Sequence, residues 1–86
     1  MLEIIRRYMS NFKIEALNEF AISNHIYLDK EELSFLYNFI KKNYEALYLN
    51  PDMDLSRYRG YFKGDNFDKI IKLVKDAKIK YARFLN

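Results

Sequence analysis

Cysteine and tryptophan are absent from this 86-residue chain, which also has only two glycines and one proline. Without cysteine, the chain has no disulfide, no thiolate metal ligand and no thiol nucleophile. No apolar run approaches the roughly 18 residues of a membrane-spanning helix. The first residues also lack the order of a signal peptide, in which cations precede an apolar stretch. We therefore expect a cytoplasmic protein with no membrane partner.

Aromatic side chains are the material from which this chain can fill a core. The length predicts a single domain, residues 1–86, and a chain this short buries only roughly 60–65% of its unfolded surface. Seven phenylalanines and eight tyrosines supply large apolar groups. Because each tyrosine hydroxyl needs water or a hydrogen-bond partner, we expect many tyrosines at the edge of the core.

Charge is distributed unevenly along the chain. Residues 1–54 contain six cations and nine acids, a net charge of −3, whereas residues 55–86 contain nine cations and three acids, a net charge of +6. The basic half is therefore the half expected to attract an acidic protein surface or a nucleic acid.

Apolar residues recur at three- and four-residue spacing, and no segment alternates with a period of two. This pattern predicts an all-α fold, a compact bundle of four to five helices with short turns. The predicted helices cover residues 2–10, 14–24, a third segment after Asp29, 55–62 and 66–85. The third helix either runs to Leu49 or breaks at Asn43. On the second helix, the predicted apolar face consists of Ile14, Leu17, Phe20 and Ala21.

Several helix boundaries have side-chain signatures. Ser10 and Asn11 compete for backbone hydrogen bonds, so the first helix is expected to break there. Asn24 tolerates left-handed geometry and suits the end of the second helix. Asp29, followed by Glu32 three residues later, has the pattern of a capping box. The other expected boundary residues are Asp54 as N-cap of the short helix, Gly64 as its end, and Asp65 with Asn66 at the start of the last helix.

The segment 57–64 alternates three cations with three aromatic rings and contains both glycines. Arginine and tyrosine are enriched at interface hot spots, and the same residues bind phosphates and stack on unpaired bases. The alternative is a short amphipathic helix in which Tyr58, Tyr61 and Phe62 pack inward. The basic side of the last helix likewise either contacts a partner or is an ordinary solvated face. The candidate binding residues are Arg57, Tyr58, Arg59, Tyr61, Lys63, Lys69, Lys72, Lys80 and Arg83.

No catalytic residue, metal site or cofactor is predicted. His25 is the sole histidine, and the sequence identifies no nucleophile that it would activate. Asp52 and Asp54 match the first ligand positions of a calcium loop, but Arg57 replaces the required glycine and Lys63 the bidentate glutamate. We therefore expect a protein that is not an enzyme.

Three short runs resemble the YqfT-like small uncharacterised helical proteins of Bacillus and relatives, over roughly residues 10–45. The resemblance implies a bacterial, cytoplasmic, helical protein, and it transfers no catalytic residue. The runs are Ile14-x-x-Leu17-x-x-Phe20-Ala21, Ile26-x-Leu28-x-x-Glu31-Glu32-Leu33 and Phe39-Ile40-Lys41.

These observations favour a small binding module, a protein-interaction adaptor or inhibitor of bacterial or phage origin whose partner has an acidic surface. Two alternatives stay open. One is direct RNA or DNA binding through the same basic residues, and the other is a homodimeric structural protein.

Overall fold

The computed structural model describes residues 2–50 and 53–85, with side chains described as far as Asp76. These residues form only helices and turns, so the all-α prediction is confirmed. The predicted short helix is a 3₁₀ helix rather than an α-helix, and the other boundaries agree to within one residue. The elements are α1 (Leu2–Ser10), α2 (Ile14–Ser23), α3 (Lys30–Leu49), the 3₁₀ helix (Ser56–Tyr61) and α4 (Asn66–Leu85).

By its internal contacts, the chain divides into two compact units, Met1–Asp54 and Leu55–Asn86. That residues 1–86 form a single domain stays a prediction.

The end of α1 follows the sequence prediction. The Ser10 hydroxyl donates a hydrogen bond of 2.8 Å to the Arg7 carbonyl, and the Asn11 amide donates to the same carbonyl at 3.3 Å. Both side chains therefore take a helical carbonyl acceptor at the point where α1 stops.

The end of α2 differs from the prediction in one residue. The left-handed residue is His25, with φ 60°, whereas Asn24 has φ −104°. Asn24 instead donates its side-chain amide to the Phe20 carbonyl at 2.8 Å. Left-handed geometry is needed one residue later because the backbone reverses after the C-cap rather than at it.

The reversal at His25 is a Schellman motif. The His25 N–H donates to the Ile22 carbonyl and the Ile26 N–H to the Ala21 carbonyl, both at 2.9 Å, which satisfies carbonyls that α2 would otherwise leave open. The motif turns Ile26 inward, where it is 2% exposed. Ile26 packs in the core of the first unit, whose other buried apolar residues are Leu17 and Ala21.

Phe20 was expected on the packing face of α2, but it is 54% exposed. On an α-helix it lies about a quarter turn from the line joining Leu17 and Ala21. The packing face is therefore narrower than the apolar pattern indicates.

A capping box starts α3, as predicted. The Glu32 N–H donates to Asp29 Oδ1 at 2.8 Å, and the Asp29 N–H donates to Glu32 Oε1 at 3.0 Å. Glu32 is only 3% exposed, so the box lies at the buried edge of the α2–α3 packing. The predicted alternative of a break at Asn43 does not occur, because α3 continues to Leu49.

Three side chains spaced one turn apart on α3 hold α1. Their partners on α1 and in the turn after it run in the opposite order, so the two helices are antiparallel. No residue of α1 is buried, and Ile4 and Tyr8 are more than 60% exposed, so these polar bonds are a large part of its attachment. The bonds run from Tyr37 Oη to the Phe12 carbonyl (2.7 Å), from Lys41 Nζ to the Met9 carbonyl, and from Arg6 Nε to Glu45 Oε1 (2.8 Å).

In the second unit, the 3₁₀ helix precedes α4. Its N-cap residue is Leu55, with no side-chain cap, rather than the predicted Asp54 one residue earlier. The Leu55 carbonyl accepts the first i→i+3 bond, from the Tyr58 N–H at 3.0 Å. Phe62 rather than Gly64 ends this helix.

Gly64 and Asp65 form the turn into α4. Gly64 has φ +56°, a geometry that glycine adopts without strain. The Asp65 carbonyl accepts from the Lys69 N–H at 3.0 Å, which agrees with a helix start at Asp65–Asn66. Phe67 is the buried apolar residue described in this unit, 6% exposed, and its ring lies 6.1 Å from that of Phe62.

We predict that His25→Gly preserves the fold and raises the free energy of unfolding by up to about 1 kcal/mol, because glycine relieves the positive φ. His25→Val should lower it by more than about 1 kcal/mol, since a β-branched residue is poorly tolerated there. Urea unfolding of both variants measures this. Equal destabilisation by glycine and valine would contradict the motif.

We predict that Asp29→Ala lowers the free energy of unfolding by about 1 kcal/mol through loss of the capping box. The melting temperature should fall by roughly 4–8 °C. Lys42→Ala, at an exposed position in the same helix, is the matched control and should change stability by less than about 0.5 kcal/mol. If the two variants melt together, the box does not stabilise α3.

We predict that the Arg6–Glu45 pair stabilises the first unit at neutral pH and not in acid. The hydrogen bond from Arg6 lowers the pKa of Glu45 below its ordinary 4.5. The pair's contribution is therefore complete above pH 4.5 and is lost as the pH falls below it. The same hydrogen bond raises the pKa of Arg6 above its ordinary value, so Arg6 stays charged throughout this range.

The measurement is thermal unfolding of the natural chain and of Glu45→Gln at low salt, at pH 7 and pH 3. The natural chain should melt higher at pH 7, and the difference should shrink at pH 3. Because both side chains are about half exposed, the difference should also shrink in high salt. A difference that persists at pH 3 would contradict this assignment.

Candidate binding surface

Tyr58 and Tyr61 lie on the same side of the 3₁₀ helix, because such a helix repeats every three residues. Their ring centroids are 6.4 Å apart and the ring planes are inclined at 41°. Tyr61 is 59% exposed, whereas Tyr58 is half-buried. The amphipathic-helix alternative predicted that Tyr58, Tyr61 and Phe62 all pack inward. Phe62 is half-buried beside Phe67. The segment therefore divides its rings between the unit's interior and its surface.

Arg57 is held in place by Tyr58. Its Nη2 donates to Tyr58 Oη at 2.8 Å, and its Cζ lies 4.9 Å from the centre of the same ring. A cation–π contact at an exposed site contributes about 0.5–1 kcal/mol. No described carboxylate pairs with Arg57, so the remaining N–H donors of this guanidinium can meet a partner's acid. We call Arg57, Tyr58 and Tyr61 the arginine–tyrosine surface.

Arg59 is used differently. Its Nη1 lies 2.8 Å from Asp68 Oδ1, and its Cζ lies 4.8 Å from the centre of the Phe67 ring. Both partners are on α4, so Arg59 joins the 3₁₀ helix to α4. The Arg59 and Asp68 side chains are about 60% exposed, and such a surface pair contributes about 0–1 kcal/mol. Arg59 is therefore a structural residue whose charge is already compensated.

Nearby acids compensate some of the lysines on the predicted basic face of α4, and other lysines there have no described ion-pair partner. Lys69 Nζ lies 3.6 Å from Asp65 Oδ1, four residues earlier. Lys72 and Lys75 are exposed and form no ion pair with any described residue. Lys63 is exposed in the turn before α4. The predicted site residues Lys80 and Arg83 fall on α4 beyond the described side chains.

A shallow open groove of about 560 Å³ lies beside α4. We call it the α4 groove. It brings together an apolar floor, two lysines and two acids. Its described lining residues are Arg59, Phe67, Asp68, Ile71, Lys72, Lys75 and Asp76.

The sequence pattern did not identify Phe67, Asp68 and Ile71 as parts of a site. Phe67 and Ile71 are one turn apart on the apolar stripe of α4, a spacing that also describes ordinary core. Asp68 is nine residues from Arg59, and no local rule links two residues at that distance in different helices. Only the packing of the 3₁₀ helix on α4 brings them together.

Among the described residues, no group of three or more histidines or acids could hold a metal ion. None of the described helices has both the length and the apolar character needed to cross a membrane.

No family model matches the chain, and neither the curated proteins nor the solved structures include a significantly similar one. The resemblance to the YqfT-like proteins therefore stays a prediction.

Proposed function

We propose that this chain is a non-enzymatic protein-binding module that uses the arginine–tyrosine surface. The observation that supports this most directly is the 59% exposed ring of Tyr61 beside half-buried Tyr58, which also holds Arg57. Tyr61 lies at the surface one turn after Tyr58, and Tyr58 positions the Arg57 guanidinium.

The geometry favours binding because part of the ordering is already present in the free chain. Fixing a long side chain at an interface costs about 0.5–1.5 kcal/mol, and Tyr58 already restrains Arg57 through a hydrogen bond and a ring contact. Arginine and tyrosine are also the residue types that most often dominate interface energies. The partner best suited to this surface has a carboxylate for Arg57 next to an apolar side chain for Tyr61.

Nucleic acid is the second candidate, because an exposed tyrosine ring can stack on an unpaired base at about 1–3 kcal/mol. The charges give it less support. Arg59 is compensated by Asp68 and Lys69 lies near Asp65, so a row of phosphates would find fewer available cations than the sequence suggests. A homodimer is the third candidate.

The biological setting also belongs to this proposal. An adaptor or inhibitor acting in the cytoplasm of a bacterium, or encoded by a phage or mobile element, agrees with the amino-acid composition. Its partner would present an acidic surface.

We predict that Arg57→Ala and Tyr61→Ala each weaken capture of the partner about tenfold, which corresponds to about 1.4 kcal/mol. The measurement is a pull-down from the native host with the tagged chain, followed by titration of the captured protein. Tyr48→Ala is the matched control, since this tyrosine is 40% exposed on α3. Should both variants retain the partner as well as the control does, the surface is wrongly assigned.

Two further measurements separate the other candidates. Binding of single-stranded or duplex nucleic acid at about 50 mM salt, lost steeply as salt rises, would favour the second candidate. Light scattering tests the third, because a single 10.5 kDa species at all concentrations would reject a homodimer.

A further inference from the structure

We propose that the α4 groove binds an acidic helix of a partner protein, with carboxylates on Lys72 and Lys75 and one apolar side chain on the floor formed by Phe67 and Ile71. This inference rests on the proposed function, because it assumes a protein partner. It adds a second contact region and specifies the chemistry of the segment that enters it.

The two lysines provide the charge complementarity. Lys72 and Lys75 are exposed, three residues apart on one helix, and unpaired among the described residues. Side chains three or four residues apart on a helix are neighbours at about 5–6 Å. Two carboxylates with this spacing on a partner helix therefore match the separation of the two lysines.

The floor of the groove provides the apolar contact. Phe67 and Ile71 both line the groove. Phe67 is 6% exposed and lies under the Arg59 guanidinium, so half-buried Ile71 offers most of the apolar surface. Arg59 lies over the Phe67 ring and is held there by Asp68, which keeps this end of the groove in place. An apolar side chain that enters here loses contact with water without displacing a buried group.

The acids in the groove favour a protein over a nucleic acid. Asp68 and Asp76 both line it, and a continuous row of phosphates would meet repulsion at each. A protein segment can place a lysine or arginine opposite Asp76 and its own carboxylates opposite Lys72 and Lys75. The ligand that matches these charges is a helix that is acidic overall and carries one cation opposite Asp76.

The test uses the full chain as bait for a library of random peptides displayed on a helical scaffold. We expect enriched peptides to contain acids three or four residues apart beside a large apolar residue. Their binding should fall at least tenfold with the double variant Lys72→Glu/Lys75→Glu. The double variant Lys30→Glu/Lys42→Glu, which makes the same charge change at exposed positions of α3, should leave binding unchanged.

A charge reversal gives a second readout. Peptides whose paired acids are replaced by lysines should bind the Lys72→Glu/Lys75→Glu chain and not the natural one. Circular dichroism establishes that both variants keep their helices. Enriched peptides that lack acids, or that bind the double variant as well as the natural chain, would overturn the groove assignment.

The outcomes also separate this inference from the proposed function. Peptides that lose binding with Arg57→Ala or Tyr61→Ala, but not with Lys72→Glu/Lys75→Glu, would overturn the groove and support the arginine–tyrosine surface. Failure to enrich any peptide would overturn the groove assignment alone, because the arginine–tyrosine surface is tested by capture of the partner from the native host. Single-stranded oligonucleotides that bind the natural chain, and lose binding with the double variant, would replace the protein ligand by a nucleic acid.

Discussion

The turn between α2 and α3 is the constraint on which the first unit depends. A Schellman motif at His25 ends one helix and a capping box at Asp29 begins the next, with the 2% exposed Ile26 between them. Because both motifs satisfy backbone groups that would otherwise lose hydrogen bonds, they restrict the direction in which α3 leaves the turn. The attachment of α1 follows from this direction, since all three side chains that bond to it project from α3.

Burial of apolar side chains is limited in the described part of the chain. The buried apolar residues are Leu17, Ala21, Ile26 and Phe67, and α1 contributes none. Hydrogen bonds to carbonyls supplement this small core, and each adds only about 0.5–1.5 kcal/mol. The exposed Arg6–Glu45 ion pair is screened by water and salt. The tyrosines whose side chains are described accordingly lie at the edge of the core or outside it. Apolar surface therefore remains for contacts with another molecule.

In the second unit, Arg57 and Arg59 of the 3₁₀ helix have different partners. Arg59 pairs with Asp68 and covers Phe67, so it stabilises the unit. Arg57 instead rests on Tyr58, and no described carboxylate pairs with it. The two arginines are two residues apart, so the three-residue repeat of the 3₁₀ helix places them on different sides. Alternating cations and rings in the sequence therefore do not have the same surroundings in the structure.

The sequence alone determined the helices and most of their ends. Apolar periodicity, the Asp29–Glu32 pattern and the break at Ser10 involve groups within about four residues of each other, so local rules suffice. Tertiary structure decided which rings are exposed, that Phe20 lies outside the core, and that Arg59 pairs with Asp68. The structure also shows that the left-handed residue is His25 rather than Asn24, because α2 ends at Ser23 and the backbone reverses after its C-cap. Exposure and pairing depend on which other element covers a side chain, and this information lies in the packing of helices rather than in any local stretch of sequence.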